Sequence, residues 1–188
     1  AAECKPSSKS GGVGDVAGEL PAALVQAGVT VEVLTPAYGR AFDDLVSDTF
    51  ATTYLNRPEE IGIVQQQSGD VPVCLLTNRT YFGTDYSAGG RHRAPQGYSE
   101  AFSENYAKPY VDSPSIPFYD DALRFAFFSE ACLEIIRRRT PDIVHINDWP
   151  LCYLFARLVM EKMPQRRVLT IHNNSYQGNI GRSSIAAH

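Results

Sequence analysis

The run Lys9-Ser10-Gly11-Gly12-Val13-Gly14-Asp15-Val16 places three glycines, a cation and a carboxylate ahead of an apolar stretch. Glycine lets successive backbone N–H groups converge on one point, and the positive end of a helix dipole reinforces them, so this run suits a phosphate or pyrophosphate. Lys9 adds a full charge beside it. The spacing is neither the dinucleotide fingerprint nor the P-loop, and a plain glycine turn is the alternative reading.

Two further polar clusters follow strand-like stretches: Asn147-Asp148-Trp149 after Ile146, and His172-Asn173-Asn174 after Ile171. In open parallel sheets the carboxyl ends of the strands form the ligand crevice. Taken singly, Asp148 is as easily a helix cap, His172 a rim histidine and Asn173 a turn former. Their recurrence at equivalent strand ends points to one shared site. Glu3, at the end of a strand stub, faces the same place, with an exposed terminal charge as the alternative. His145 lies inside its strand and reads as a hydrogen-bonded core residue. There is no Gly-x-Ser-x-Gly elbow and no serine with a base partner, so acyl transfer is unsupported.

The elements that must position these groups read as an α/β chain. Residues 1–5 resemble the tail of a strand whose earlier residues are expected upstream. Val16, Leu20, Leu24 and Val25 have helical spacing, Pro21 is expected to bend that helix, and Gly28 supplies a left-handed stop. A strand is expected over 29–35, closed by Pro36, which completes a right-handed βαβ unit. Short strands follow at 49–55, 61–67 and 71–76, with a turn at Ser68-Gly69-Asp70, and Asp43, Asp44, Asp48, Glu59 and Glu60 read as a solvated face. Asp120 is a candidate N-cap for a core helix over 122–136 that ends in three arginines. A strand at 142–146, a helix at 150–163 and a strand at 168–171 repeat the βα pattern of a parallel sheet. Between them, residues 80–119 carry recurrent tyrosines and phenylalanines, which suggest a sugar-stacking loop or one pinned to the surface by its aromatics.

The 188 residues are 44% apolar with a net charge of −4, which fits one globular domain and argues against nucleic-acid or polybasic membrane binding. The four cysteines have no CxxC pair or metal-ligand spacing, so reduced thiols and no metal site are expected. No apolar run approaches the ~20 residues of a membrane span, and no signal-peptide core opens the sequence. A soluble, intracellular protein is expected.

Four segments, in order, resemble the signatures of bacterial glycogen synthases and plant starch synthases. They are Lys9-Ser-Gly-Gly-Val-Gly-Asp-Val, Glu-Leu-Pro-Ala-Ala-Leu before Gly28, His145-Ile-Asn-Asp-Trp149, and Thr170-Ile-His-Asn-Asn-Ser-Tyr-Gln-Gly178. The usual forms are KTGGLGDV, ALP, HAHDW and TIHNLAYQG. Tyr119-Asp-Asp-Ala-Leu-Arg-Phe-Ala-Phe-Phe128 also looks like the family's helix entry. Three departures stand out: Asn147 replaces a histidine, Pro150 replaces another, and the segment after Tyr81-Phe82 is longer and lacks an arginine.

The resemblance implies a Rossmann-like three-layer parallel sheet, the N-terminal half of a retaining GT-B glycosyltransferase. Such enzymes move glucose from ADP-glucose to the non-reducing end of an α-1,4-glucan, glycogen or starch, without a cofactor or metal. By the same resemblance Lys9, Gly11 and Gly12 face the donor's phosphates and glucose, and Asp15 anchors their loop. His172 and Asn173 hold the transferred glucose, with Lys9 and His172 as the catalytic pair. Glu3, Tyr81 and Asp148 fall on the acceptor side. A C-terminal nucleotide-binding domain, outside residues 1–188, is the expected partner, so the chain alone is expected to be inactive. The expected compartment is the cytoplasm, or the plastid stroma in a plant or alga. Alternatives are a catalytically idle glucan-binding module, a different GT-B nucleotide-sugar transferase, and an NAD-dependent sugar-modifying enzyme. The last lacks the dinucleotide spacing and a Tyr-x-x-x-Lys pair.

Overall fold

The computed structural model of the chain describes residues 1–38, 45–78, 80–82, 121–174 and 177–178. Its elements are α1 (Gly12–Gln26), β1 (Val33–Pro36), β2 (Asp48–Tyr54), β3 (Arg57–Ser68), β4 (Val71–Thr77), α2 (Asp121–Arg139), β5 (Ile143–Asn147), a 3-10 turn (Trp149–Leu151), α3 (Cys152–Met160) and β6 (Arg166–Thr170). One sheet has the order β1-β4-β3-β2, and β5 pairs with β6 in a second. The β1–β4 and β5–β6 pairs are parallel, whereas β2, β3 and β4 form an antiparallel meander. The fold is therefore α/β and Rossmann-like, with an antiparallel arm added to the parallel framework.

Strand β4 shows why the sheet is covered on both faces. Alternate residues of a strand point to opposite sides. Cys74 and Leu76 enter a core with Phe127, Phe128 and Leu133 of α2, while Val71, Val73 and Leu75 join Val33 and Ala17 on the α1 side. A near-continuous apolar run is what such two-sided burial requires. Aromatic packing thickens the α2 side: Tyr81 stacks on Phe127 at 4.2 Å, and Tyr54 meets Tyr81 edge-on at 5.4 Å.

Gly28 has φ +85°, and the N–H groups of Gly28 and Val29 return to the carbonyls of Val25 and Leu24, which ends α1 as expected. Pro21 lies inside α1, which continues through it to Gln26. The strand expected over 29–35 is shorter and later, Val33–Pro36, because its ladder begins only where Val33 meets Val73. Strand β3 is longer than expected, running from Arg57 to Ser68. Glu59 is buried, in contrast to the solvated face expected of it. Asp43, Asp44, Asp120 and nearly all of the 80–119 stretch lie outside the described residues.

The N-terminal stub lies between β1 and α1. Ala1 donates its N–H to the Leu34 carbonyl at 2.8 Å, and Tyr38 donates its hydroxyl to the Ala2 carbonyl at 2.8 Å. Lys5 N–H then bonds the Gly14 carbonyl at 3.0 Å. A Cβ at Gly18 would come within 2.8 Å of the Lys5 carbonyl oxygen, so glycine there lets the stub rest on the helix.

Candidate functional site

The stub's position determines what the glycine turn contains. Glu3 is 1% exposed, and its carboxylate accepts the backbone N–H of Ser10 at 2.5 Å and of Gly11 at 3.1 Å. Gly11 is the N-cap of α1 and has no side chain to cap it, so Glu3 supplies the anion that the helix dipole favours. Gly14 allows this: a Cβ there would press on Glu3 Oε2 at 3.3 Å and Lys9 Cγ at 3.2 Å. Gly12, by contrast, faces open space within 4 Å. The turn is thus open at Gly12, while the N–H groups of Ser10 and Gly11 are already engaged by Glu3.

Lys9 Nζ sits 2.7 Å from Asp15 Oδ2, and Lys5 Nζ sits 3.7 Å from Asp15 Oδ1. The hydrogen bond from Lys9 holds the Asp15 carboxyl below the ordinary carboxylate value, more strongly than partial burial opposes it. The turn thus carries its own cation, steadied by an exposed carboxylate one helical turn away.

The second wall forms where β5 and β6 end. Asp148 is buried, donates its N–H to the Thr170 carbonyl at 2.8 Å and accepts the Trp149 N–H on Oδ1 at 3.2 Å. Its backbone has φ +65° and ψ 179°, a region that residues other than glycine rarely occupy, at a cost of roughly 1–3 kcal/mol. Strain of this kind gathers where a side chain must be aimed. His172 Nε2 lies 2.9 Å from Asn147 Oδ1, and Asn173 stands exposed beyond it, its carbonyl accepting from Gln177 Nε2 at 3.2 Å. Burial above all, with His172 nearby, holds His145 below the ordinary imidazole value. His145 is exposed and contacts Thr170, so it is not the core residue its place in the strand suggested.

An aromatic and cationic path joins the two walls. The Arg124 guanidinium lies 5.4 Å from the Tyr38 ring centre and 5.8 Å from that of Phe125, and Phe125 meets Trp149 edge-on at 5.3 Å. Gly178, with φ +59°, packs its Cα against the Trp149 ring, where any Cβ would collide. Gly178 thereby lies directly against Trp149 at the end of β5.

Tyr81 sits below this path. It is 1% exposed, its N–H bonds Asn78 Oδ1 at 2.9 Å, and its carbonyl accepts from Arg124 Nε at 3.3 Å. Arg124 also pairs with Asp121 at 3.1 Å, so one buried guanidinium ties down both edges of the 83–120 stretch. The structure thus brings Glu3, Lys9, Gly11, Gly12 and Asp15 into one cluster and Asp148 and His172 into another. It places the Tyr81 ring in the aromatic core. In the sequence Asn147 stood only as one member of the polar run 147–149 and as a departure from a motif, and Arg124 only as part of the helix-entry segment, so neither showed its partner. Among the described residues no three His, Cys, Asp or Glu side chains group as a metal site would need, and no helix is long and apolar enough to cross a membrane.

Residues 1–188 match the family model described as the starch synthase catalytic domain. The chain is 32% identical over 199 residues to glycogen synthase 2 of Geobacter sulfurreducens, covering 99% of this chain and 36% of the relative. It is 33% identical over 187 residues to a glycogen synthase of a Hydrogenobaculum species, covering 95% of this chain and 34% of that one. Among solved structures, the catalytic domain of starch synthase IV from Arabidopsis thaliana, bound to ADP and acarbose, matches with a TM-score of 0.67. The identity there is 26%, with 98% of this chain and 35% of that chain covered. The chain spans about a third of the length of the curated relatives it matches.

Proposed function

The chain belongs to the starch synthase catalytic domain family, and from that premise we propose that it is the N-terminal, acceptor-side half of a retaining glucosyltransferase. In this reading glucose passes from ADP-glucose to the 4-hydroxyl at the non-reducing end of an α-1,4-glucan, with no cofactor or metal. A C-terminal nucleotide-binding domain completes the cleft, and the 188 residues alone do not turn over. The reaction belongs in the cytoplasm, or in the plastid stroma of a plant or alga.

Breaking the bond to ADP builds negative charge on the pyrophosphate and positive charge on the sugar. Lys9 and the open face of the turn at Gly12 oppose the first, and preorganised donors of this kind are worth about 3–4 kcal/mol each. Asp15 holds Lys9 in place until the phosphate arrives, and Gly11 keeps the turn narrow. His172 and Asn173 hold the transferred glucose. No strong nucleophile is in the proposed set, which suits a displacement in which leaving group and acceptor share one face of the sugar. On the acceptor side Asp148 meets the glucan directly, Glu3 acts through the turn it holds, and Tyr81 acts through the aromatic base beneath the cleft.

The observation that carries this reading is Asp148, a buried carboxylate on strained backbone at the end of β5, whose N–H bonds the Thr170 carbonyl at the end of β6. Calorimetric titration of the chain with maltooligosaccharides tests it. Binding that weakens at least tenfold in Asp148→Asn is expected, and no glucan binding, or binding indifferent to Asp148, contradicts it. A full-length protein that binds glucan yet transfers nothing from ADP-glucose supports the idle binding module instead.

A further inference from the structure

We propose that Asn147 is a positioning residue that fixes the ring tautomer of His172. The inference rests on the reading of His172 as a group that holds the transferred sugar. β5 and β6 run parallel, with His145 opposite Val168 and Asn147 opposite Thr170. Residues two apart on a strand share a face, so the side chains of His145 and Asn147 leave β5 on one side. Two polar contacts cross from that side on the same diagonal. His145 Nε2 meets Thr170 Oγ1 at 2.7 Å, and Asn147 Oδ1 meets His172 Nε2 at 2.9 Å, each spanning 25 residues of chain. They are successive rungs of one ladder, and the main-chain bond from Asp148 N–H to the Thr170 carbonyl at 2.8 Å ties its upper end.

The two rungs differ chemically. A threonine hydroxyl both gives and accepts a hydrogen bond, so the lower rung accommodates either tautomer of His145. A carboxamide oxygen only accepts, so in the upper rung the hydrogen must come from His172. Nε2 is then the protonated nitrogen, and Nδ1 keeps its lone pair. A ligand group that reaches Nδ1 has to be a donor, as a sugar hydroxyl is. The resembling motif has a histidine at position 147, and an imidazole there could give or accept, leaving the tautomer of His172 open. In this structure the asparagine turns Oδ1, its accepting atom, toward the ring, so a departure from the motif becomes a device for orienting the ring.

The test reads the ring nitrogens directly. The 188-residue chain, labelled with 15N-histidine, is examined by long-range nitrogen–proton correlation at a pH where its imidazoles are neutral, the His172 signals being identified by their loss in His172→Gln. The wild-type chain is expected to show a pyrrole-like Nε2 and a pyridine-like Nδ1. Asn147→Asp, whose carboxylate only accepts, keeps that pattern. Asn147→Leu replaces the single tautomer with a mixture, and Asn147→Lys, which only donates, moves the proton to Nδ1. A protonated Nδ1 in the wild-type chain overturns the proposal whatever the variants do, as do identical ring shifts in the wild-type, Asp and Leu forms. Because no substrate is involved, this outcome is separate from the role of His172. That role is read independently by whether His172→Gln abolishes transfer in the full-length enzyme.

Discussion

The carboxylate of Glu3 accepts the backbone N–H of Gly11 at 3.1 Å, so the glycine turn holds an anion of its own before any ligand arrives. That bond converts a flexible three-glycine run into a shaped one. Removing it in Glu3→Ala leaves two N–H groups to find water, and a loss of about 1–2 kcal/mol in urea unfolding is expected. Glu3→Gln, whose amide oxygen still accepts, recovers most of that loss. If Ala and Gln prove equally stable to the wild type, the turn is not held by this contact.

At Asp148 a proposed acceptor contact falls on strained backbone. Asp148→Gly removes the penalty of φ +65° and is expected to raise stability by about 1 kcal/mol while abolishing glucan binding. Asp148→Asn keeps the backbone and loses the charge, so binding falls without the gain in stability. A destabilised glycine variant contradicts the assignment of strain.

The cysteines give a chemical map. Cys4, Cys74 and Cys132 are buried and Cys152 is exposed. Burial pushes the Cys132 thiol up to about 12, so it stays protonated as well as covered. Cys152 is therefore expected to react first with a thiol reagent in the native chain. Its own value is raised, first by partial burial and then by the Asp148 carboxylate. Asp148→Asn should consequently speed Cys152 labelling at fixed pH, and an unchanged rate would place the two side chains further apart than described.

The Lys9–Asp15 pair predicts a pH effect of definite sign. The Asp15 carboxyl lies below its ordinary value chiefly because Lys9 donates to it. Its contribution to stability is fully present above the ordinary aspartate value of about 4 and is lost as pH falls through the lower folded value. Both side chains are well exposed, so the effect is small and fades with salt. Carboxyl-detected NMR titration should show Asp15 moving up toward its ordinary value in Lys9→Ala. A titration that does not move contradicts the pair.

Much of this was legible in the chain, for reasons tied to particular residues. Gly28 announced the end of α1 because only a left-handed residue stops a helix that way. The apolar run of β4 announced two-sided burial. The polar clusters at 147–149 and 172–174 marked strand ends because each follows a short stretch rich in Val, Ile and Leu. What was illegible depended on tertiary register. The start of β1 depends on where β4 begins. The occupant of the glycine turn depends on how the stub docks against Gly14 and Gly18. Tyr81 looked like a loop aromatic, and its burial follows from Asn78 and Arg124, which flank the 83–120 stretch. Asn147 gave no signal of partnership, since the ladder to His172 exists only in the β5–β6 register.

In the proposed reaction Lys9 serves the departing pyrophosphate and not the glucan. The most direct measurement is transfer of labelled glucose from ADP-glucose to a maltooligosaccharide by the full-length enzyme and its Lys9→Ala variant, with glucan affinity measured alongside. A fall in kcat of about 10²–10³ with glucan affinity unchanged is expected. Equal losses of rate and glucan affinity, or an undiminished rate, would contradict it.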